Sequence, residues 1–199
     1  MKVIEIYNSG YIDCKSSYYV AHTSLDEKDK FVFKSGINEL VGDIDSGNFS
    51  ISYLISMYKD VDKKLLFLPQ TAKVDGEVVE LFELSQLSCY MDSLYPFFPK
   101  KKTVRQLVEK GLKKSKIPYT PDEICKLFHM ETFRFERPIN AIGHEKFRAM
   151  AAIGFCYNKD VFCFPWMSRR LFDSFQGHLT DILSILEKMN KIVILPIGF

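Results

Sequence analysis

One stretch has the residue types and spacing of a phosphate cradle: Gly42-Asp43-Ile44-Asp45-Ser46-Gly47-Asn48-Phe49-Ser50. In such a loop two glycines let backbone amides wrap a phosphate. A lysine after the second glycine reaches the outer phosphates, and the next hydroxyl helps to hold Mg²⁺. Here both glycines are correctly spaced, but Asn48 stands at the lysine position and Phe49 at the hydroxyl position. Asp43 and Asp45 add negative charge to the loop itself. A carboxylate about 5 Å from a phosphate costs roughly 3 kcal/mol at an effective dielectric near 20. The N-terminus of the next helix attracts an anion by only about 0.3–2 kcal/mol. The repulsion wins, so the loop has the shape of an anion site and the wrong charge for one.

Other residues that could do chemistry have plainer readings. His144 beside Glu145 at a helix start reads as a surface polar residue. Asp43 and Asp45 alternate as calcium ligands do, but no glutamate closes the pattern. Ser50 has no Gly-x-Ser-x-Gly elbow around it and reads as a capping or packing serine. Cys14, Cys89, Cys125, Cys156 and Cys163 are odd in number, form no Cys-x-x-Cys pair and accompany only four histidines, so they read as reduced, buried thiols without a metal site. Cys163 lies within the apolar run Val161–Phe164 and belongs to the core. Phe162, Phe164, Trp166, Phe172 and Phe175 cluster around the end of that run. Ligands of α/β sheets bind outside the carboxyl ends of the strands. Aromatic residues at that edge are expected to plug a pocket there, with a partner surface as the other option.

These residues need elements to position them. Residues 2–34 read as strands with turns, including a turn cluster at Asn8-Ser9-Gly10. Ile37–Val41 is a strand, residues 42–47 a loop, and Ile51, Leu54, Ile55 and Tyr58 mark a helix face. Residues 65–68 and 77–84 are further strand candidates. Thr103-Val-Arg-Gln106 and Thr120-Pro121-Asp122-Glu123 are helix starts, the latter with proline at the first helical position. Gly111–Pro118 between them reads as a lysine-rich, solvated connector. Residues 145–155 form a helix, 161–164 a strand buried on both faces, Leu179, Ile182, Leu183 and Leu186 another helix face, and 192–195 a second buried strand. Alternating helix and strand predicts a parallel sheet in an α/β layer.

At 199 residues the chain is long enough for one sizeable core, and its 47% apolar content argues against bulk disorder. With 27 basic and 25 acidic residues its net charge is +2, too small for a general nucleic-acid binder. No apolar run approaches the length of a membrane span. Glu5 interrupts the first apolar stretch, so no signal-peptide pattern is seen, and a cytoplasmic protein is expected.

The loop, taken with the rest of the chain, resembles part of an ABC-transporter ATPase domain in order and spacing over about residues 2–199. Ile37–Ser50 is similar to that family's strand and Walker A motif. Leu94-Tyr95-Pro96 before Thr103-Val104 resembles the segment after its Q-loop. Ala141-Ile142-Gly143-His144-Glu145 falls at its Leu-Ser-Gly-Gly-Gln/Glu signature, and Arg148 with Ala149, Ala151 and Ala152 matches the helix beyond. Asp160–Phe164 falls on the Walker B strand, and Lys191–Leu195 on the strand before the switch histidine. The resemblance implies an α/β, P-loop NTPase-like fold with a mixed sheet, N-terminal antiparallel strands and a small helical subdomain inserted at about 90–140 of a single domain.

The departures from that family bear on chemistry. Pro165 and Trp166 stand where it needs an aspartate for Mg²⁺ and a glutamate for the attacking water. Ile197 or Gly198 replaces the histidine. Ile142 replaces the signature serine, and His144 a signature glycine. Tyr90 or Met91 sits at the glutamine position, with Gln86 close enough to be recruited by a small shift. The implied protein is a catalytically inactive subunit, with no cofactor expected beyond weak ATP and magnesium binding. Its implied partners are another ABC ATPase subunit, a second copy of itself or a membrane permease, with no nucleic acid and no direct membrane insertion. The alternatives are a free-standing scaffold or binding protein that reuses the fold and, behind it, an active ATP-binding transporter subunit.

Overall fold

The computed structural model describes residues 1–7, 9–25, 30–67, 71–92 and 101–199. The chain opens with strands β1 (Val3–Tyr7), β2 (Gly10–Lys15), β3 (Val20–Leu25), β4 (Lys30–Lys34) and β5 (Gly36–Val41). Helix α1 (Asn48–Met57), β6 (Thr71–Val74), β7 (Glu77–Glu80), α2 (Leu81–Leu87) and β8 (Ser88–Tyr90) come next. Helices α3 (Val104–Ser115), α4 (Pro121–Leu127), α5 (Thr132–Phe135) and α6 (Lys146–Cys156) precede β9 (Val161–Cys163), α7 (Arg169–Lys188) and β10 (Ile192–Ile197).

The strands form three groups. An antiparallel sheet runs in the order β4-β1-β6-β7, and β2 pairs with β3 as a hairpin. The parallel sheet predicted for the last third runs β5-β10-β9-β8, with Val193 opposite both Ile37 and Phe162. Every residue of β10 is buried, because α1 covers one face of this sheet and α6 and α7 the other. Period-2 alternation then hands Val193, Leu195 and Ile197 to one core and Ile192 and Ile194 to the other. That double burial explains the unbroken apolar runs in the sequence.

Both predicted helix starts form, each closed by a capping box. Thr103 Oγ1 accepts the Gln106 amide at 3.2 Å while Gln106 Oε1 accepts the Thr103 amide at 3.2 Å. At α4, Glu123 Oε2 accepts the Thr120 amide at 2.7 Å and Thr120 Oγ1 the Glu123 amide at 3.3 Å. Helices α3 to α7 all contribute to one apolar core with Phe162 and Phe164.

Several expectations need correction. The run 77–84 is not one strand: it divides into β7 and α2, where Leu81 and Leu84 share a buried face while Phe82 and Glu83 face solvent. The strand expected at 65–68 is instead a 3₁₀ turn, Lys63–Leu65, capped by Asp62 on the Lys64 amide at 3.0 Å. Leu66 makes only an isolated bridge to Gly10. Leu68, Asn8 and Leu94-Tyr95-Pro96 lie outside the described residues. The lysine-rich connector is mostly the end of α3, with Gly111 and Leu112 buried. A Cβ at Gly111 would lie 2.6 Å from Tyr157 Cδ2, so only glycine lets α3 approach that ring. Helices α1 and α6 are buried nearly all round, not along one face.

The packing is testable at two points. Glycine-to-alanine in a helix interior ordinarily stabilises by up to about 1 kcal/mol. At Gly154 of α6 the added Cβ would lie 2.8 Å from Phe162 Cε1 and 3.1 Å from Cys89 Sγ. Overpacking of that kind costs about 1–3 kcal/mol, so Gly154→Ala is expected to lower the urea midpoint at unchanged slope. The second point concerns the thiols, all free and buried as the sequence implied. Burial pushes Cys14, Cys89 and Cys156 from 9.0 up to about 12. In the unfolded chain these thiols release protons near pH 9, whereas in the folded chain they keep them. The unfolded state therefore binds fewer protons above that point, and stability falls as pH rises, by up to about 1.4 kcal/mol per pH unit per thiol. Urea midpoints measured from about pH 8 to about pH 10 should decline steadily, and replacing Cys156 by alanine should flatten that slope.

Candidate functional site

The carboxyl ends of β5, β8, β9 and β10 share one edge of the parallel sheet, the edge at which α/β proteins bind ligands. The loop 42–47 leaves β5 there, and α1 starts at Asn48. Gly47 caps the helix with φ 85°, a left-handed conformation that glycine adopts without strain. The loop folds onto itself. Ser46 Oγ donates to the Asp43 carbonyl at 2.6 Å, and the Ser46 amide to the same oxygen at 3.0 Å. A Cβ at Gly42 would lie 2.7 Å from Ser46 Oγ and 2.8 Å from Asn48 Nδ2, so these two side chains fill the space over Gly42. Asp43 and Asp45 are exposed.

In the first turn of α1, the side chains of Phe49 and Ser50 point into the core. Phe49 is fully buried and meets Tyr53 edge-on, with ring centroids 6.3 Å apart. Ser50 is also fully buried, its hydroxyl bonded to Thr23 Oγ1 of β3. It packs as its surroundings in the sequence implied. One turn on, Ser52 Oγ donates to the Phe164 carbonyl at 2.6 Å, tying α1 to the end of β9.

Beyond β9, Phe164, Pro165 and Trp166 are all buried. Trp166 retains 8% of its surface, and its indole Nε1 donates to the Gly42 carbonyl at 2.9 Å. The ring also closes on Gly198, where a Cβ would lie 2.8 Å from Trp166 Cζ2. Tyr19 meets it edge-on at 4.9 Å. This aromatic group therefore fills the sheet edge between the glycine loop and the end of β10.

A second set of residues covers the same edge, and sequence reasoning missed it. The turn 16–19 of the β2–β3 hairpin reaches across the strand ends. Ser17 donates its amide and its hydroxyl to the two oxygens of Asp92, each at 2.9 Å. Asp92 lies just beyond β8 and is 2% exposed. Tyr19 Oη donates to Ser168 Oγ at 3.0 Å, and Tyr18 meets the Phe175 ring edge-on. Tyr90 Oη donates to the Lys15 carbonyl at 2.9 Å and holds the hairpin from below. These pairs are 75 and 149 residues apart in sequence, and no local pattern announces them.

The remaining candidates are elsewhere. Gln86 is exposed on α2 at the amino end of β8, the wrong end of the sheet, so a small shift does not bring it to the loop. Ala141–Glu145 form two 3₁₀ turns ahead of α6. Among the described residues no hydrogen bond or ion pair joins 141–145 to the loop 42–50. Ile142 is buried and its carbonyl accepts Arg134 Nη1 at 2.7 Å. Gly143 adopts φ 60° against the same guanidinium. Glu145, 2% exposed, accepts the Glu131 amide at 3.3 Å and lies 3.5 Å from Arg134 Nε. His144 is exposed and stacks on His178 at 4.7 Å. This segment is a structural joint between α5 and α6.

Trp166→Phe tests the seat of the indole. The ring remains apolar, but the buried Gly42 carbonyl loses its donor. The expected cost is about 1–3 kcal/mol, read by circular dichroism as a lower urea midpoint. An unchanged midpoint would show that the bond contributes nothing net.

No family model and no curated protein matches the sequence. Solved structures do match the fold. A protein described as an ABC transporter ATP-binding protein from Pyrococcus furiosus superposes with a TM-score of 0.58 at 14% identity, over 99% of this chain and 90% of that one. The ATP-binding cassette MJ0796, solved as a dimer in a post-hydrolysis state with ADP and phosphate, superposes with a TM-score of 0.58 at 10% identity, over 98% and 87%. Across nearly its whole length, the chain has the mixed α/β, P-loop NTPase fold of ABC ATP-binding domains.

Proposed function

We propose that this chain is an ABC-ATPase-like subunit that does not hydrolyse ATP and works through protein partners. The observation that carries the reading is Trp166, seated on the Gly42 carbonyl with Tyr19 and the turn 16–19 closing over it. Phosphoryl transfer relies on charge stabilisation and positioning. The residues at this edge do not fit a magnesium nucleotide. Asn48 brings no cation, Phe49 is turned into the core, and Asp43 and Asp45 oppose a phosphate. At the end of β9, Pro165 and Trp166 offer neither a metal ligand nor a base. The loop 42–50, the segment 141–145 and the pair Pro165–Trp166 are in this reading degenerate counterparts of the phosphate loop, the signature and the Walker B end.

The partner is inferred from the fold. One neighbour is named as part of an ABC transporter and another was solved as a dimer. That likeness supports a subunit that contributes structure or regulation to an intact ATPase, to a second copy or to a permease. No helix among the described residues is long and apolar enough to cross a membrane.

Trp166 is the only tryptophan, so intrinsic fluorescence reads the site directly. Calorimetry with Mg-ATP up to millimolar concentration should give no heat, and the fluorescence should not move. Micromolar binding with a fluorescence change would overturn the reading and make hydrolysis the next assay.

A further inference from the structure

The antiparallel sheet β4-β1-β6-β7 ends in two strands that, among the described residues, have a neighbour on one side only: β4 pairs with β1, and β7 with β6. Such an edge is a template for a further strand. In an antiparallel sheet, successive residues turn their backbone groups alternately toward the neighbour and outward. Beside β4, the Ser35 amide bonds the Lys2 carbonyl inside the sheet at 2.9 Å. Lys34 faces outward, where Asn38 takes its amide at 2.9 Å and its carbonyl at 2.8 Å. Val32 and Lys30 therefore also present their amides and carbonyls outward. At the other end, the Asp75 amide bonds the Val3 carbonyl of β1 at 3.0 Å. Lys73 shares that direction, so Val74 and Ala72 face β7 and bond to Glu77 and Val79. Val78 and Glu80 are left facing outward, with the Glu80 carbonyl serving the start of α2.

The side chains of the two edges match in the same register. Read across the sheet, one row runs Val32–Glu5–Lys73–Val78 and the next Phe31–Ile6–Ala72–Val79, so both rows end apolar at both edges. Strand direction alternates, and β7 therefore runs opposite to β4. A second copy in the same orientation would lay its β4 antiparallel to β7. With Val78 opposite Val32, Val79 falls opposite Phe31 and Glu80 opposite Lys30. Val32 and Val78 are 42% and 67% exposed, and they share an outer face with Lys30 and Glu80. The outward backbone groups coincide as well: Val78 and Val32 can exchange two hydrogen bonds, and the Glu80 amide can reach the Lys30 carbonyl. A slip of one residue would set outward groups against inward ones and turn every side chain to the other face. A slip of two would set Val78 against a lysine, Lys30 or Lys34.

The charges select which edge meets which. At full overlap, β4 on β4 would set Lys30 against Lys34, and β7 on β7 would set Glu77 against Glu80. Like charges directly opposite destabilise a strand pair. In the pairing of β7 with β4, Glu80 meets Lys30. Lys30 also holds Glu5 of its own sheet at 2.7 Å, and an ammonium has three donors, so it can serve both carboxylates. Phe33 is already covered at 1% exposure, so Glu77 opposite it need not be buried. We propose that copies of this chain associate head to tail, β7 of one pairing with β4 of the next, so that the antiparallel sheet runs on from copy to copy. Such a contact is heterologous and leaves one free β4 and one free β7 at the ends of an open assembly. It uses a different sheet from the edge plugged by Trp166 and does not rest on the function proposed above.

Sedimentation equilibrium on the full chain, from micromolar concentration to about 1 mM, tests this. The mass is expected to rise with concentration past that of a dimer, because each end stays open. Val32→Lys closes the β4 edge and Val78→Lys the β7 edge. Both replace exposed side chains, so circular dichroism and urea midpoints should stay close to the parent's. Each variant alone should self-associate at least about tenfold more weakly. Mixed in equal amounts, the two should form a complex that stops at two chains, since one retains β7 and the other β4. The proposal is overturned if the parent remains a monomer or stops at a dimer through that range, if either variant associates as the parent does, or if the mixture gives no two-chain complex.

Discussion

The hydrogen bond from Trp166 Nε1 to the Gly42 carbonyl joins the segments that meet at the carboxyl edge of the parallel sheet. One end lies in the loop between β5 and α1, the other just beyond β9. Tyr19 adds the hairpin to the same indole, and Gly198 adds the end of β10. Each of those segments leaves a different strand, so without a common partner each would present polar backbone to an open edge. Indole suits the task, because it buries a large apolar face and still satisfies one carbonyl through its single donor.

Packing and electrostatics push this edge in the same direction. Helix α1 is enclosed by the hairpin on one side and the parallel sheet on the other. A long charged side chain at the start of such a helix has to leave toward solvent or find an anion. Asn48 avoids that demand, and Phe49 turns the neighbouring position into core. Asp43 and Asp45 remain exposed, so they cost the fold little and oppose an incoming phosphate. Asp92 is buried and could not be left bare; Ser17 supplies two donors to its two oxygens, and the turn 16–19 is drawn over the strand ends as a result.

Legibility in the sequence divides by the range of the interaction. The capping boxes at Thr103 and Thr120 are local and legible, because cap and partner lie three residues apart. The parallel strands are legible because β9 and β10 are buried on both faces, which leaves continuous apolar runs. The likeness in fold is visible in the order of those elements. Helix α2 is hidden because Val78, Val79 and Leu81 continue the look of a strand, and only the spacing of Leu81 and Leu84 betrays the change. The end of α3 is hidden because lysines outnumber apolar residues there, although Gly111 and Leu112 face Tyr157 and the core. The plug at Trp166 is foreshadowed by its aromatic surroundings. The turn 16–19 is not, since Ser17, Tyr19, Asp92 and Ser168 become neighbours only after the whole sheet has formed.

That difference bears on which residues carry the fold and which lie at its edge. The core of this chain is built from β10, the two helices packed on one side of it and α1 on the other, through apolar side chains of the chain itself. Catalytic groups of a P-loop domain sit instead at strand ends and in loops, where replacing a charge by an apolar residue relieves desolvation rather than creating it. Pro165, Trp166 and Phe49 occupy such positions, and each is buried where a carboxylate (Pro165, Trp166) or a hydroxyl (Phe49) would need a polar partner. With the indole bonded to the loop carbonyl, a charged residue placed at this edge would have to displace Trp166 from its seat. The residues at this edge therefore support one another: Trp166 holds the Gly42 carbonyl, Tyr19 packs on Trp166, and Ser17 holds Asp92.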